Sequence, residues 1–237
     1  MKTLILAGGL GTRLAEETDH VPKPMVKVGE FPIIQHIMKR YALFGFKDFV
    51  IAGGYKFEII KEYFEKEYAY LKQEGWRVDV VDTGLATQTA QRIWKVRESL
   101  GEKFFLTYGD GLANIDISKL LESHNRSNAI GTVTAVRPPA RFGSLVIENN
   151  LVVQFSEKNP QDVGWINGGF FVFEKEIFRY LDGQQGSLEG IPLANLAGDR
   201  NLNAHLHHGW WQPMDTLREK RVLDEMWQKG SPPWEMI

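Results

Sequence analysis

The chain has 237 residues, of which 43% are hydrophobic and 24% are charged, and its formal net charge at pH 7 is -2. This length is enough for one large α/β domain that buries its own core. The nearly neutral charge gives no electrostatic reason to expect nucleic acid as a partner. Because the chain contains no cysteine, disulfides, thiolate metal sites and thiol nucleophiles are excluded.

The N-terminal segment predicts neither a signal peptide nor a membrane span. Only residues 3–7 form an apolar run before a glycine-rich turn begins, and this run is too short for either role. The lack of cysteine is compatible with a reducing compartment. We therefore expect a cytoplasmic protein with no membrane partner.

The first half of the chain alternates between strand-like and helix-like patterns. The apolar run at 3–7 ends in two glycines, which is typical of a strand buried on both faces. Similar patterns predict a helix at 33–44, a strand at 48–54, a helix at 57–71, a strand at 77–82, a helix at 88–99 and a strand at 103–111. This order predicts βαβ units with parallel strands.

The second half contains strand-like runs that follow one another closely. They lie at 132–136, 144–148 and 151–158, and the Asn149-Asn150 pair predicts a hairpin between the last two. A further buried strand is expected within 164–175, then a short helix to Leu181 and a final helix from about 216 to 227. We predict an α/β fold with a mixed sheet, in a single domain over residues 1–237.

A glycine-rich loop, GGLGTR, follows the first strand. Glycines let backbone N–H groups approach phosphates, and Arg13 adds a fixed positive charge, so the segment from Gly8 to Arg13 is suited to bind an anion. Its spacing is not that of a Walker A loop, and the third glycine of the dinucleotide fingerprint is missing. The alternative is a tight turn with a surface arginine.

Three polar residues elsewhere suggest partners for this loop. Lys23 lies between Pro22 and Pro24, which stiffen the backbone as a phosphate clamp requires, although an exposed loop lysine is the alternative. Asp110 lies between two glycines after an apolar strand, at the sheet edge where ligands bind. Asp215 directly precedes the last predicted helix, which it could instead cap.

The motifs LAGGLGTRL and KPM, followed in order by VDTG, YGDG, RFG, INGGFFVF and GWWQPMDTLREK, resemble the signature of the sugar-1-phosphate nucleotidyltransferases. Within that family the chain is most similar to the glucose-1-phosphate cytidylyltransferase branch. The resemblance implies a Rossmann-like, mostly parallel sheet flanked by helices, with substrates across the carboxyl ends of the strands. It also implies transfer of a nucleotidyl group from a nucleoside triphosphate, CTP in this branch, to a sugar 1-phosphate, here glucose 1-phosphate. Members are commonly homo-oligomers, so we expect one.

The resemblance assigns roles to individual residues. Residues 1–111 would mainly bind the nucleotide and residues 112–237 the sugar phosphate. The implied catalytic residues are Arg13, Lys23 and Asp110, and Asp110 and Asp215 would hold Mg²⁺. The implied nucleotide-binding residues are Leu6, Ala7, Gly8, Gly9, Gly11, Thr12, Arg13, Lys23, Thr83 and Gly109. The implied sugar-phosphate residues are Gly143, Glu157, Lys158, Asn167 and Gly168, although Glu157 and Lys158 could instead form an exposed ion pair.

Two segments depart from the pattern of the branch. In one, residues 187–193, the family generally has a tryptophan at position 188 and an acidic residue at position 191, where this chain has Leu188 and Ile191. In the other, cytidylyltransferases of this kind have Thr-Gly-Gly-Arg where this chain has Thr89-Ala90-Gln91-Arg92. A side chain at position 90 or 91 would obstruct a backbone that approaches a ligand, or would offer a new amide contact. Another base or another phosphate acceptor therefore stays open. A non-catalytic regulator that binds a nucleotide sugar is an alternative of a different class.

Overall fold

The computed structural model describes residues 1–139, 143–157, 164–183 and 186–236. In these ranges the strands are β1 (Lys2–Ala7), β2 (Lys27–Val28), β3 (Phe31–Pro32), β4 (Asp48–Gly53), β5 (Arg77–Asp82), β6 (Lys103–Tyr108), β7 (Gly111–Ala113), β8 (Gly131–Val136), β9 (Ser144–Glu148), β10 (Leu151–Ser156), β11 (Ile166–Glu174), β12 (Leu202–Leu206) and β13 (Trp211–Pro213). The helices are α1 (Ala15–Thr18), α2 (Ile33–Leu43), α3 (Phe57–Lys66), α4 (Tyr68–Gln73), α5 (Thr89–Lys95), α6 (Ile117–Ser127), α7 (Phe178–Leu181), α8 (Ile191–Gly198) and α9 (Leu217–Gln228).

The central sheet has seven strands in the order β12-β8-β11-β6-β1-β4-β5. Strand β1 is parallel to β4 and β6, β4 is parallel to β5, and β12 is parallel to β8. Only β11 among these seven runs antiparallel to its neighbours, β6 and β8. The predicted mixed, mostly parallel sheet is confirmed. Because the chain leaves β1 towards β4 and β5 and then returns to β6 on the other side, a crevice opens at the carboxyl ends of β1 and β6.

Two apolar layers cover the two faces of this sheet. Along β1, Ile5 packs into one layer and Leu4 and Leu6 into the other. This alternation explains why β1 is apolar on successive residues, as expected for a strand covered on both faces. Helix α2 packs into the first layer through Ile37 among others, and α5 packs into the second through Ile93.

Two predicted helices are shorter than the apolar spacing suggested. The helix expected over 57–71 is interrupted at Glu67, which separates α3 from α4, although Leu71 beyond the break still returns to the core. The helix expected over 88–99 ends as α5 at Lys95 and is followed by a 3-10 turn, Arg97–Ser99. Apolar spacing records which side chains are buried and not whether the backbone between them stays α-helical.

The predicted hairpin is confirmed. Strands β9 and β10 pair with each other in an antiparallel register, and both Asn149 and Asn150 adopt positive φ, 48° and 66°. Asparagine is favoured at such positions because its side chain tolerates the left-handed region.

None of the helices in the described ranges combines the length and apolar character needed to cross a membrane.

Candidate active site

A cavity of about 600 Å³ lies at the carboxyl ends of β1 and β6. The end of β1, the glycine-rich loop, Lys23 and the turn after β6 form one side. The loop before α5 forms the other. The lining residues are Leu6, Ala7, Gly8, Gly9, Leu10, Gly11, Thr12, Arg13, Lys23, Pro24, Leu85, Ala86, Thr87, Gln88, Thr89, Arg92, Tyr108, Gly109, Asp110 and Ser187. Nine of the ten residues predicted to bind nucleotide are therefore brought together here, and Thr83 is the exception.

Two glycines of the loop are required by its geometry. Gly11 has a φ of 68°, which L side chains rarely adopt, and its carbonyl accepts the Leu14 amide at 2.9 Å to close the turn. A Cβ at Gly8 would lie 2.1 Å from Cζ of Arg92, so only glycine leaves room for the guanidinium. The loop conformation thus requires glycine at both positions.

Lys23 joins the two aspartates that the sequence places far apart. Its Nζ lies 2.6 Å from Oδ2 of Asp110 and 2.5 Å from Oδ1 of Asp215. Nη1 of Arg13 lies 2.9 Å from Oδ2 of Asp215. Burial alone would lower the pKa of Lys23, but the two carboxylates outweigh it and raise the pKa above its ordinary value. Lys23 is therefore held as a cation at the wall of the cavity.

A short ladder brings the two aspartates side by side. Strand β7 pairs antiparallel with β13, with Gly111 opposite Pro213, and the Met214 amide donates to the Asp110 carbonyl at 2.8 Å. Asp110 directly precedes β7, and Met214 alone separates Asp215 from the end of β13. Their carboxylates consequently reach the same ammonium group.

The alternative that Asp215 caps the last helix is wrong. The N-cap of α9 is Thr216, whose hydroxyl accepts the Glu219 amide while the Glu219 carboxylate accepts the Thr216 amide at 3.0 Å. The same carboxylate also accepts the amide of Asp215 at 2.8 Å. This capping box satisfies the helix terminus without the Asp215 side chain, which faces Lys23 and Arg13 instead.

The paired carboxylates fit a hard divalent cation. Asp110 and Asp215 already converge on one positive group, and carboxylate oxygens are the ligands that such ions prefer. Two protein ligands would leave room for phosphate oxygens and water to bind the same ion.

Arg92 is a site residue whose contacts the sequence did not reveal. Its Nη1 donates to Gly53 O at 2.8 Å and to Thr83 Oγ1 at 2.6 Å, and its Nη2 donates to Gly8 O at 2.9 Å. Burial lowers its pKa from the ordinary arginine value. Arg92 thereby joins the carboxyl ends of β1, β4 and β5. Thr83, which was predicted to border the nucleotide, lies behind the cavity wall and supports Arg92.

The departure at positions 90 and 91 does not obstruct the cavity. Ala90 is fully buried in the second apolar layer, and neither Ala90 nor Gln91 lines the cavity. Both belong to helix α5, so a helical face directs Ala90 towards the core. Of this segment, Thr89 and Arg92 are the residues that face the cavity.

The described residues among the predicted sugar-phosphate set, Gly143, Glu157, Asn167 and Gly168, do not line this cavity. Gly143 and Glu157 flank the hairpin, and a Cβ at Gly143 would lie 3.1 Å from Oε2 of Glu157. Asn167 Nδ2 donates to the Tyr108 hydroxyl at 3.2 Å, and Gly168 O accepts from Trp211 Nε1 at 2.8 Å. Lys158 lies outside the described residues. The binding roles of these residues stay predictions.

A glycine-rich loop and paired carboxylates at the switch point of a mostly parallel sheet are typical of α/β enzymes that bind nucleotides. The family model "Nucleotidyl transferase" matches residues 2–215, and the chain belongs to that family. Enzymes of this family typically use a divalent metal ion.

Individual relatives show which members of the family this chain is similar to. A glucose-1-phosphate cytidylyltransferase of Salmonella typhi is 43% identical to this chain in an alignment of 254 positions that covers 99% of each protein. A D-glycero-alpha-D-manno-heptose 1-phosphate guanylyltransferase of Campylobacter jejuni is 33% identical over 75% of this chain and 78% of its own. The crystal structure of HddC from Yersinia pseudotuberculosis superimposes with a TM-score of 0.74 at 24% identity, over 95% of this chain and 99% of its own, and shows the shared fold.

Proposed function

We propose that this enzyme transfers the cytidylyl group of CTP to glucose 1-phosphate, giving CDP-glucose and pyrophosphate. The observation that carries this proposal is the cluster of Lys23, Asp110 and Asp215 beside the glycine-rich loop. It provides one cation and two metal-binding carboxylates where a triphosphate on the loop would present its α-phosphate. The choice of CTP and glucose 1-phosphate rests on the similarity to the Salmonella typhi enzyme.

The reaction in this proposal is a direct in-line displacement. An oxygen of the sugar phosphate attacks the α-phosphorus of CTP, a new P–O bond forms, and the bond from the α-phosphorus to the bridging oxygen of pyrophosphate breaks. The attacking oxygen is already ionised, so no general base is needed. Positioning and charge neutralisation supply the catalysis, without a covalent enzyme intermediate.

The residues of the cavity have separate tasks. Arg13, whose side chain is 72% exposed, holds the departing pyrophosphate, and Lys23 stabilises the charge that develops on the α-phosphate. Asp110 and Asp215 would hold Mg²⁺, which when bound neutralises charge on the phosphates. Glu157, Asn167 and Gly168 would receive the sugar, and Lys158 would orient the attacking phosphate. Residues 1–111 thus serve mainly the nucleotide and residues 112–237 mainly the sugar phosphate.

One assay distinguishes the proposed reaction from the use of other substrates and from a purely binding role. Pyrophosphate release is measured for CTP, UTP, dTTP and GTP, each paired with several sugar 1-phosphates. We expect CTP with glucose 1-phosphate to give the highest kcat/KM. A higher value for GTP would favour a guanylyltransferase, the activity named for the Campylobacter jejuni relative. Binding of CDP-glucose without turnover of any pair would favour a regulator.

Location and assembly complete the proposal. The reaction consumes a nucleoside triphosphate, so we place the enzyme in the cytoplasm, where that substrate is available. We also propose a homo-oligomer. Light scattering of the purified protein tests the assembly, and a mass equal to the 27.1 kDa of one chain would contradict it.

A further inference from the structure

The segment before α8 returns to the cavity from a distant part of the chain. Ser187 lines the cavity, and Leu188 is fully buried in the second apolar layer, which anchors the segment. Glu189 follows directly. Although Glu189 is an exposed residue, each of its two carboxylate oxygens has a partner on another element.

The partners of Glu189 are two residues that line the cavity. The Tyr108 hydroxyl donates to Oε1 of Glu189, and the Thr89 hydroxyl donates to Oε2 at 3.0 Å. The Thr89 hydroxyl also accepts the amide of Leu188 at 2.7 Å, which fixes its direction. One carboxylate therefore connects the end of β6 with the start of α5. A charged acceptor makes both bonds stronger than a neutral one would.

Tyr108 extends this connection to the predicted sugar side. Its hydroxyl accepts from Asn167 Nδ2 at 3.2 Å, and its ring packs so closely on Gly169 that a Cβ there would lie 2.6 Å from Cδ2. Burial, followed by the charge of Glu189, raises the pKa of Tyr108 well above its usual value, so the hydroxyl stays protonated and can donate. Tyr108 thus has a fixed ring and a fixed hydroxyl between the cavity and Asn167.

The residues predicted to bind the triphosphate are held in place by side chains other than Glu189. Arg13 and Lys23 are held by Asp215 and Asp110, and the glycine-rich loop is held by Arg92. Removal of the Glu189 carboxylate should therefore leave the triphosphate side in place. It should release Tyr108, Thr89 and, through Tyr108, Asn167.

We propose that Glu189 is a positioning residue for the acceptor substrate, which acts through Tyr108 and sets the affinity for the sugar 1-phosphate while leaving the affinity for the triphosphate nearly unchanged. This inference rests on the proposed function, because it assigns the Asn167 side of the site to the sugar phosphate. Glu189 is not a catalytic residue, since its oxygens are bonded to protein groups.

The test compares Glu189→Ala with Glu189→Gln in steady-state kinetics. In Glu189→Ala, KM for glucose 1-phosphate should rise about tenfold, in line with the loss of one hydrogen bond to a charged group, while KM for CTP changes less than about threefold. Glu189→Gln should stay within about threefold of wild type for both substrates, because the amide oxygen still accepts from Tyr108. Glu65→Ala, an exposed glutamate on α3, is the control and should behave as wild type.

A double-mutant cycle tests whether Tyr108 is the intermediary. Tyr108→Phe should raise KM for glucose 1-phosphate, and the effects of Tyr108→Phe and Glu189→Ala should not add. Thermal unfolding of each variant shows whether it is folded. If Glu189→Ala does not fold, Glu189→Gln and Tyr108→Phe decide the question.

Several results would overturn the inference. An unchanged KM for glucose 1-phosphate in Glu189→Ala would exclude the role, and equal rises for both substrates would show a general structural effect. A Glu189→Gln variant as impaired as Glu189→Ala would mean that the charge itself contacts the sugar. If the wild-type enzyme accepts another sugar 1-phosphate, the same variants are measured with that acceptor. No turnover by the wild type with any pair would defeat the proposed function and this inference together, whereas failure of Glu189 alone leaves the proposed function intact.

Discussion

Nζ of Lys23 lies 2.6 Å from Oδ2 of Asp110, although the two residues are 87 positions apart in the chain. The same ammonium group lies 2.5 Å from Oδ1 of Asp215, 192 positions away. The lysine therefore stands between the two carboxylates that would hold the metal ion. The positive charge of Lys23 offsets the negative charges of Asp110 and Asp215, and each of the three residues can be replaced separately.

Replacement of Lys23 should abolish most of the turnover. We expect Lys23→Ala to lower kcat at least about 10²-fold, because the variant loses the buried cation that we propose stabilises the reacting phosphate. Pyrophosphate release under saturating substrates measures this effect. Lys27→Ala, an exposed lysine on β2, is the control and should keep wild-type turnover. Near-normal turnover of Lys23→Ala would refute the role assigned to this residue.

Loss of either aspartate should lower the affinity for the metal ion as well as the rate. Asp110→Ala should lower turnover at least about 10²-fold. In Asp110→Asn and Asp215→Asn, the Mg²⁺ concentration for half-maximal rate should rise about tenfold or more, since an amide is a poorer ligand than a carboxylate. Titration of the rate with Mg²⁺ provides the value, with Asp19→Asn as an exposed control. An unaltered Mg²⁺ requirement in both variants would place the metal elsewhere.

Arg92 should contribute to stability as well as to the site. Arg92→Ala removes the hydrogen bonds to Gly8 O, Gly53 O and Thr83 Oγ1 and leaves the space of a buried side chain unfilled. We expect the free energy of unfolding to fall by about 2–4 kcal/mol. Urea unfolding measures it, and Arg179→Ala at an exposed position is the matched control. Equal stability of the two variants would show that these hydrogen bonds do not hold the strand ends together.

His36 should make the protein less stable in mild acid. Burial lowers the pKa of His36 to about 4, and its Nδ1 accepts from Trp234 Nε1 at 3.2 Å, a bond that the protonated ring cannot make. Since the unfolded histidine titrates near 6.5, the unfolded chain binds the extra proton first. The contribution of His36 is thus complete above about pH 6.5 and is lost as the pH falls towards 4, by at most about 3 kcal/mol.

Urea unfolding of wild type and His36→Gln at pH 7 and pH 4.5 checks this expectation. Other groups also titrate in this range, so the relevant quantity is the difference between the two proteins. The stability advantage of wild type should shrink at the lower pH. A constant difference would mean that His36 does not titrate as its buried environment requires.

Local signals were sufficient to predict most of the sheet. The apolar run before Gly8, the glycine-ended strand at 48–54 and the Asn149-Asn150 turn each depend on a few adjacent residues, and each was confirmed. Helix α6 was missed although its signals are local. Asp116 caps it by accepting the Lys119 amide at 2.9 Å, and Ile117 and Leu120 repeat at helical spacing.

The site was predictable only in part, because its contacts join distant segments. The glycine-rich loop and Asp110 could be placed at the sheet edge from their position after strands. No spacing rule could show that Arg92 would reach Gly8 or that Glu189 would reach Tyr108, since folding alone brings those pairs together. The sequence suggested that a side chain at Ala90 or Gln91 would obstruct the site. It could not show that Ala90 lies on the buried face of a helix, away from the cavity.

The central claim is nucleotidyl transfer from CTP to glucose 1-phosphate. Phosphorus NMR of the wild-type enzyme with CTP, glucose 1-phosphate and Mg²⁺ follows every phosphate of the reaction at once. We predict that the resonances of CTP and glucose 1-phosphate decline together while those of CDP-glucose and pyrophosphate appear in equal amounts. Unchanged resonances with this pair would contradict the proposed substrates, and unchanged resonances with every triphosphate and sugar 1-phosphate offered would contradict the account as a whole.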